Sequence, residues 1–244
     1  MNTNNNVILL TGGTSGIGLE MVRQFSSFGN TLLVTSSNQR NLEILQTQFP
    51  KIIPLICDLA DEESVRNLVR KCLADHRDIN IVITNAGIQE NYRWTEEPEG
   101  HEKINREIRV NFTSPMQLIY GLLPLLTTKN NAAVITVSSG LAFAPKQSAP
   151  IYCATKAAIH NATKALRYQL DTTTVKVFEI IPPLVDTAMT QGRGKGKISP
   201  EQLVDEFIRN FQADRLEMNI GKTKLLRLIQ RIVPTLADRI MKHG

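Results

Sequence analysis

The most constraining feature of this chain is how it opens. A short apolar run at 7–11 leads directly into Thr11-Gly12-Gly13-Thr14-Ser15-Gly16-Ile17-Gly18, and a helical pattern follows over 17–28. A strand with apolar residues on both faces belongs inside a parallel sheet covered by helices. Glycines after such a strand let the backbone turn tightly, approach a pyrophosphate and pack the helix closely on the sheet. The helix N-terminus then offers unpaired N–H groups and the positive end of its dipole to an anion. A glycine cluster alone is equally an ordinary tight turn. Its place between the first strand and the first helix favours a dinucleotide.

The alternation set up by this opening continues. Apolar runs at 31–35, 52–57, 79–84, 133–138 and 175–181 predict strands, and a seventh is expected near 216–220. Helices are predicted at 39–48, after an N-capping Asp61, at 101–128 and at 152–170, with Gly29 closing the first helix. A polar loop spans 89–100. No repeat or linker divides the chain. The expectation is a single α/β domain over 1–244, a Rossmann-type doubly wound parallel sheet with strand order 3-2-1-4-5-6 and about seven strands, helices covering both faces. Within it, 188–244 is read as a substrate loop followed by a basic amphipathic C-terminal segment.

Composition narrows the class. Hydrophobic residues make up 42% of the 244 residues, enough for a sizeable core. No apolar run approaches the ~18 residues of a membrane span; the longest, 118–126, is broken by Gly121 and Pro124. The first six residues lack the basic and apolar regions of a secretion signal, so a cytoplasmic protein is expected. Cys57, Cys72 and Cys153 are widely spaced and without CxxC pairing, as in a reducing compartment. His76, His101, His160 and His243 show no ligand spacing either, and no metal site is expected. The net charge of +5 lies wholly in 193–244, which holds eleven Lys/Arg against six Asp/Glu. Such asymmetry raises the question of an anionic partner, although a basic stretch is most simply a solvated loop. Nucleic acid is not the expected one, because the tail lacks interleaved aromatics or a known module.

A second constellation carries chemistry. In Tyr152-Cys153-Ala154-Thr155-Lys156 a phenol and an ammonium lie one helical turn apart on the same face. Ser139 precedes them at the end of the fifth strand. A carbonyl undergoing reduction gathers negative charge on oxygen and must receive a proton. A phenol can give it, although its ordinary pKa near ~10 is high for neutral pH. A neighbouring cation is expected to lower that pKa, and Ser139 can hydrogen-bond the substrate oxygen. Singly, Tyr-x-x-x-Lys reads more readily as a lysine snorkelling past a half-buried tyrosine.

In one chain and one order, however, stand the Gly-x-x-x-Gly-x-Gly turn, Cys57-Asp58-Leu59, Asn85-Ala86-Gly87, Asn111, Ser139, the Tyr152/Lys156 pair and Ile181-Pro182-Pro183-Leu184-Val185-Asp186-Thr187. With these the chain resembles the classical short-chain dehydrogenase/reductase family over 7–187, and is similar to its DltE-like bacterial branch. The resemblance implies an oxidoreductase moving hydride between a nicotinamide cofactor and a carbonyl or alcohol. It implies catalysis by Ser139, Tyr152 and Lys156, with Asn111 supporting a proton-relaying water. Cofactor contacts are implied for Gly12, Thr14, Ser15, Gly16, Ile17 and Gly18, for Asp58 and Leu59 at the adenine, and for Asn85, Ala86 and Gly87. They are also implied for Tyr152 and Lys156 at the nicotinamide ribose, and for Pro182, Val185 and Thr187 over the nicotinamide. A homodimer or tetramer is implied through the helices at 101–128 and 152–170, which are apolar around much of their circumference.

Cofactor choice is read after the second strand, where an acid would bind the 2′-hydroxyl of NAD and a basic residue the 2′-phosphate of NADP. The stretch Thr35-Ser36-Ser37-Asn38-Gln39-Arg40 has no acid. Ser36, Ser37 and Arg40 can hold a phosphate, so NADP(H) is preferred over NAD(H). Tyr92, Trp94, Leu141, Phe143 and Met189 fall in the loops that set the substrate, a small-molecule carbonyl or alcohol. The basic amphipathic tail can cover its own domain, a sister subunit or an anionic membrane surface. Two other readings stay open, an NAD-linked alcohol dehydrogenase and a cofactor-binding sensor or scaffold with little turnover.

Overall fold

A computed structural model describes residues 1–242; His243 and Gly244, the last residues of the expected domain, lie outside the described residues. The strands are β1 (Val7–Thr11), β2 (Thr31–Ser36), β3 (Ile53–Ile56), β4 (Ile81–Thr84), β5 (Ala132–Val137), β6 (Val175–Ile181) and β7 (Glu217–Asn219). All pair in parallel in the order β3-β2-β1-β4-β5-β6-β7, the expected order with the seventh strand added at the edge. The helices are α1 (Gly16–Ser27), α2 (Gln39–Gln48), α3 (Glu62–Asp75), α4 (Gly100–Ile108), α5 (Ser114–Leu126), α6 (Pro150–Gln169), α7 (Pro200–Gln212), α8 (Thr223–Ile232) and α9 (Pro234–Met241). Most ends fall within two residues of expectation, the margin at which hydrogen bonding rather than hydrophobic pattern decides a boundary.

Every central strand is buried on both faces, so each face of the sheet has its own core. On one, Met21, Val22 and Phe25 of α1 meet Leu203, Phe207 and Phe211 of α7, with Leu42 and Leu45 of α2 alongside. On the other, Val65, Leu68 and Cys72 of α3 pack with Leu118, Leu122 and Leu126 of α5. Asp61 caps α3 through Glu63 N–H, as expected. The one long helix expected over 101–128 is instead two helices joined by a π turn at Arg109–Thr113. No helix among the described residues is long and apolar enough to cross a membrane. Parallel strands place all their C-terminal ends on one edge, and β1 and β4 diverge there into opposite crossovers. That crevice is where doubly wound sheets accept ligands.

Candidate active site

Thr11 and the turn after it are tied to the β4 end from both directions. Thr11 Oγ1 accepts from Asn85 N–H at 3.0 Å and Ala86 N–H at 3.1 Å. The Asn85 amide returns donors to Thr11 O and Gly12 O, each at 3.1 Å. Gly12 takes a positive φ of +68°, and a Cβ there would stand 2.9 Å from Ala86. A Cβ on Gly18 would run into the Gly12 carbonyl and the Asn85 amide. The turn is therefore a cradle that only small residues leave open, with Ser15 at the N-cap of α1 making no side-chain cap of its own. An anion fits there, facing the first N–H groups of a three-turn helix. Gly16 and Ile17 bring the rim against the segment after β6: a Cβ on Gly16 would meet Thr187, and Ile17 shares a cavity with Pro182, Val185 and Thr187.

At the end of β2, Thr14 Oγ1 lies 3.5 Å from Ser36 Oγ, which also accepts from Asn38 N–H at 3.2 Å. Ser37 and Arg40 are exposed beside it, Arg40 in the first turn of α2. The exposed Asp58 carboxylate accepts from Ala60 N–H at 2.9 Å. Leu59 is buried, its carbonyl held by Ser114 Oγ at 2.6 Å.

Ser139 follows β5 and accepts from Leu141 N–H at 3.1 Å, which fixes its hydroxyl at the start of a short turn. That hydroxyl is hydrogen-bonded to Tyr152. Lys156, buried one turn along α6, donates to Val137 O at 2.8 Å, and its ammonium stands 5.5 Å from the centre of the Tyr152 ring. Asn111 sits in the π turn. Its Oδ1 accepts from Ile88 N–H at 2.8 Å while its Nδ2 donates to Ile88 O at 2.9 Å, clamping the chain just after Gly87. The wide turn thus spends Asn111 on the loop that follows β4. All four residues meet at the C-terminal edge of β4 and β5.

The electrostatic balance differs from the sequence expectation. Burial, the largest influence, pushes the Tyr152 phenol up to about 12, and the Ser139 hydrogen bond only partly opposes it. Lys156 was expected to lower the phenol. Burial instead pulls Lys156 itself down to about 8, resisted by the Glu179 carboxylate. Desolvation acts against each charged form, so a neutral phenol beside a readily deprotonated ammonium is what this pocket holds.

Beside Ser139 and Tyr152 opens a cavity of about 580 Å³, lined also by Leu141 and Met189 and roofed by Leu225, Leu226 and Ile229 of α8 and Ile240 and Met241 of α9. The basic tail is folded onto its own chain here: Thr223 Oγ1 donates to Ile181 O at 3.0 Å, and Gln147 N–H donates to Lys242 O at 3.1 Å. Three residues expected to shape the substrate loop do other things. Tyr92 is buried away from the cavity, Trp94 is exposed, and Phe143 packs between the His160 ring and the Arg227 guanidinium.

Sequence reasoning missed several site neighbours. Glu107 is fully buried on α4, accepts from Glu90 N–H at 2.9 Å, and is pushed up to about 7 by that burial. Glu179 is buried behind Lys156, between Ser138 and His160 Nδ1, the latter at 2.9 Å. An acid inside the apolar run at 177–181 was the available signal for Glu179. Nothing local marks Glu107.

A family model described as short chain dehydrogenase matches residues 6–197. The chain is 34% identical over 233 residues to the uncharacterized oxidoreductase DltE of Bacillus subtilis (strain 168), covering 93% of this chain and 92% of that one. Among solved structures it is similar to a short chain dehydrogenase from Burkholderia cenocepacia J2315 in complex with NADP, at a TM-score of 0.88 and 22% identity with both chains fully covered. It is also similar to a short chain dehydrogenase/reductase from Burkholderia phymatum in complex with NAD, at a TM-score of 0.81 and 16% identity over 95% of this chain and 96% of that one. The fold, the cradle and the matches agree: this chain belongs to the short-chain dehydrogenase family of oxidoreductases.

Proposed function

We propose that the protein reduces a small-molecule carbonyl to an alcohol with NADP(H) in preference to NAD(H). The observation that carries this reading is the convergence of Ser139 and Tyr152 on one cavity that also reaches Ile17 and Thr187 at the rim of the glycine cradle, with Lys156 buried beside the Tyr152 ring. Gly12, Thr14, Ser15, Gly16, Ile17 and Gly18 would hold the pyrophosphate. Leu59, Asn85, Ala86 and Gly87 would flank the adenosine and ribose, and Pro182, Val185 and Thr187 the nicotinamide. Asp58, exposed and accepting from Ala60 N–H through Oδ1, would offer its remaining lone pairs to the adenine side.

The bound dinucleotide supplies the hydride. As the carbonyl carbon receives it, charge builds on the oxygen, which Ser139 orients by a hydrogen bond and Tyr152 protonates from its phenol. The phenol is neutral at pH 7 and so carries the proton to be given, while the positive charge of a bound oxidised nicotinamide and the Lys156 ammonium would favour the phenolate that forms. The Lys156 ammonium stabilises the phenolate left behind, and Asn111 fixes the loop through which a water would return the proton. NADP over NAD is supported by the acid-free patch of half-buried Ser36 with exposed Ser37 and Arg40, and by the NADP in the Burkholderia cenocepacia relative. Exposed Tyr120 and Tyr168 on the outer faces of α5 and α6 support assembly as a homo-oligomer, which light scattering reads directly.

The deciding experiment is a fluorescence titration of the purified protein with NADPH and, separately, NADH. Tight and selective NADPH binding is the expected result. Comparable or tighter NADH binding overturns the cofactor preference and directs the substrate search to alcohols. Binding of neither by a folded protein overturns the reading.

A further inference from the structure

The cavity wall opposite the α8–α9 roof carries two cations that the reaction above does not use. Lys146 lies in the loop before α6. Arg193 lies after the short turn at Ala188–Thr190, its N–H bonded to Thr190 O at 3.0 Å. Both are half-buried and both line the cavity with Ser139 and Tyr152. They converge on one group: with its amide turned to meet them, the Gln89 oxygen accepts from Lys146 Nζ at 2.9 Å and from Arg193 Nη1 at 3.2 Å. The Asn91 oxygen accepts from the same guanidinium at 3.1–3.2 Å through Nε, Nη1 and Nη2, while its amide nitrogen donates to Gln89 at 2.8 Å.

Two like charges sharing one neutral acceptor are poorly compensated. Among the described residues no carboxylate lies within ion-pair distance of either. Nearby acids are engaged elsewhere, Glu90 with Arg106 and Asp186 with Lys197. Burial, and then the Arg193 charge, pull the Lys146 ammonium below the usual lysine range. The Arg193 charge also reaches the Tyr152 phenol. An anion placed between the pair would relieve the repulsion and gain charge-assisted hydrogen bonds that Gln89 cannot match. Guanidinium and ammonium together suit a carboxylate or a phosphate. Lys195 and Lys222 stand elsewhere on the wall, Lys222 bonded to Gly196 O, and Leu184, Leu226 and Ile229 give the cavity an aliphatic surface.

We propose that the substrate is an amphiphile whose anionic group is bound by Lys146 and Arg193, with its apolar part against the α8–α9 roof. Calling the ligand a substrate rests on the reductase reading; the anion site itself does not.

The test is calorimetric titration of the NADPH-equilibrated protein with octanoate, octyl phosphate and methyl octanoate. At least one of the two anions should bind about tenfold more tightly than the neutral ester, the scale of a charge-assisted bond in a half-buried site. Whichever anion binds better identifies carboxylate or phosphate as the recognised group. Lys146→Met and Arg193→Ala should each remove most of the gap and the double variant all of it, Arg193→Lys should keep part, and NADPH affinity should not move. Equal binding of ester and both anions overturns the proposal, as does a gap that survives in a folded double variant. A wild-type protein that shows the gap but reduces no carbonyl supports the anion site and breaks the reductase reading instead.

Discussion

The cofactor-side edge and the substrate-side roof of this site are built on opposite plans. Around the glycine cradle, polar groups are spent on one another: Thr11, Gly12, Asn85 and Ala86 exchange four hydrogen bonds within 3.1 Å. The roof of α8 and α9 is tied mainly at its ends, through Thr223 to Ile181 O and through Lys242 O to Gln147 N–H, and leaves apolar side chains exposed, Leu228 at 54% and Ile232 at 69% among them. A cradle fixed by its own interior bonds can present the same surface whatever lies across the cavity. A roof of aliphatics tied at its ends and apart from the cradle can be reshaped without disturbing it. Shared chemistry and individual specificity are thus carried by physically separate parts of one cavity.

Variants on either side can break that comparison. The largest effect is expected from Tyr152→Phe, which removes the proton donor and little else. Turnover should fall about 10³-fold, within the range of general acid catalysis, with NADPH affinity nearly unchanged. Surviving turnover would mean that another group gives the proton. Gly18→Val drives a side chain into the Gly12 carbonyl, and NADPH affinity should drop roughly 100-fold, about 2.7 kcal/mol. Retained binding would show the cradle to be less rigid than its bonds imply.

Glu107 holds the loop after β4 through Glu90 N–H, and its test is thermodynamic. Its folded carboxyl, pushed up to about 7, binds a proton that the unfolded chain releases above about 4.5. The stabilisation is therefore complete below about pH 4.5, declines as pH rises to 7, and is flat beyond. Glu107→Gln should abolish that slope and stabilise the protein by about 2 kcal/mol at pH 8, read from denaturant midpoints at several pH values. An unchanged slope would place the titration elsewhere. The smallest effect belongs to the roof: Leu226→Ala should raise KM for an apolar carbonyl about threefold to tenfold, one contact's worth of burial, and leave the NADPH dissociation constant alone. A shift in cofactor affinity would show that the roof and the cradle are coupled after all.

The sequence carried the fold because strands and glycines are local signals. The runs at 7–11 and 175–181 were bounded to the residue, since an apolar stretch ended by a turn leaves little choice. The four motif residues Asn111, Ser139, Tyr152 and Lys156 were legible from type and order. What was not legible depends on tertiary environment. The balance of charge at Tyr152 turns on desolvation, which no spacing reports. Lys146 and Arg193 are 47 positions apart and joined only through Gln89, itself on a third segment. The amphipathic stretch at 223–232 announced a face but not what it would cover, and Phe143 was drawn from the cavity wall by His160 and Arg227.

The wide turn at Arg109–Thr113 has a consequence for how this chain can vary in length. Each residue advances an α-helix by about 100°, so the extra one held in a π turn sets α5 that much out of phase with α4. α4 is engaged against α6 and α5 against α3, and both engagements depend on the offset. Deleting any one residue of the five would restore a regular helix and force a choice, since the two halves could no longer dock together. Substitutions elsewhere on these helices are point changes; a single deletion here is a rotation of everything beyond it, and Asn111 would be the first group carried away from Ile88.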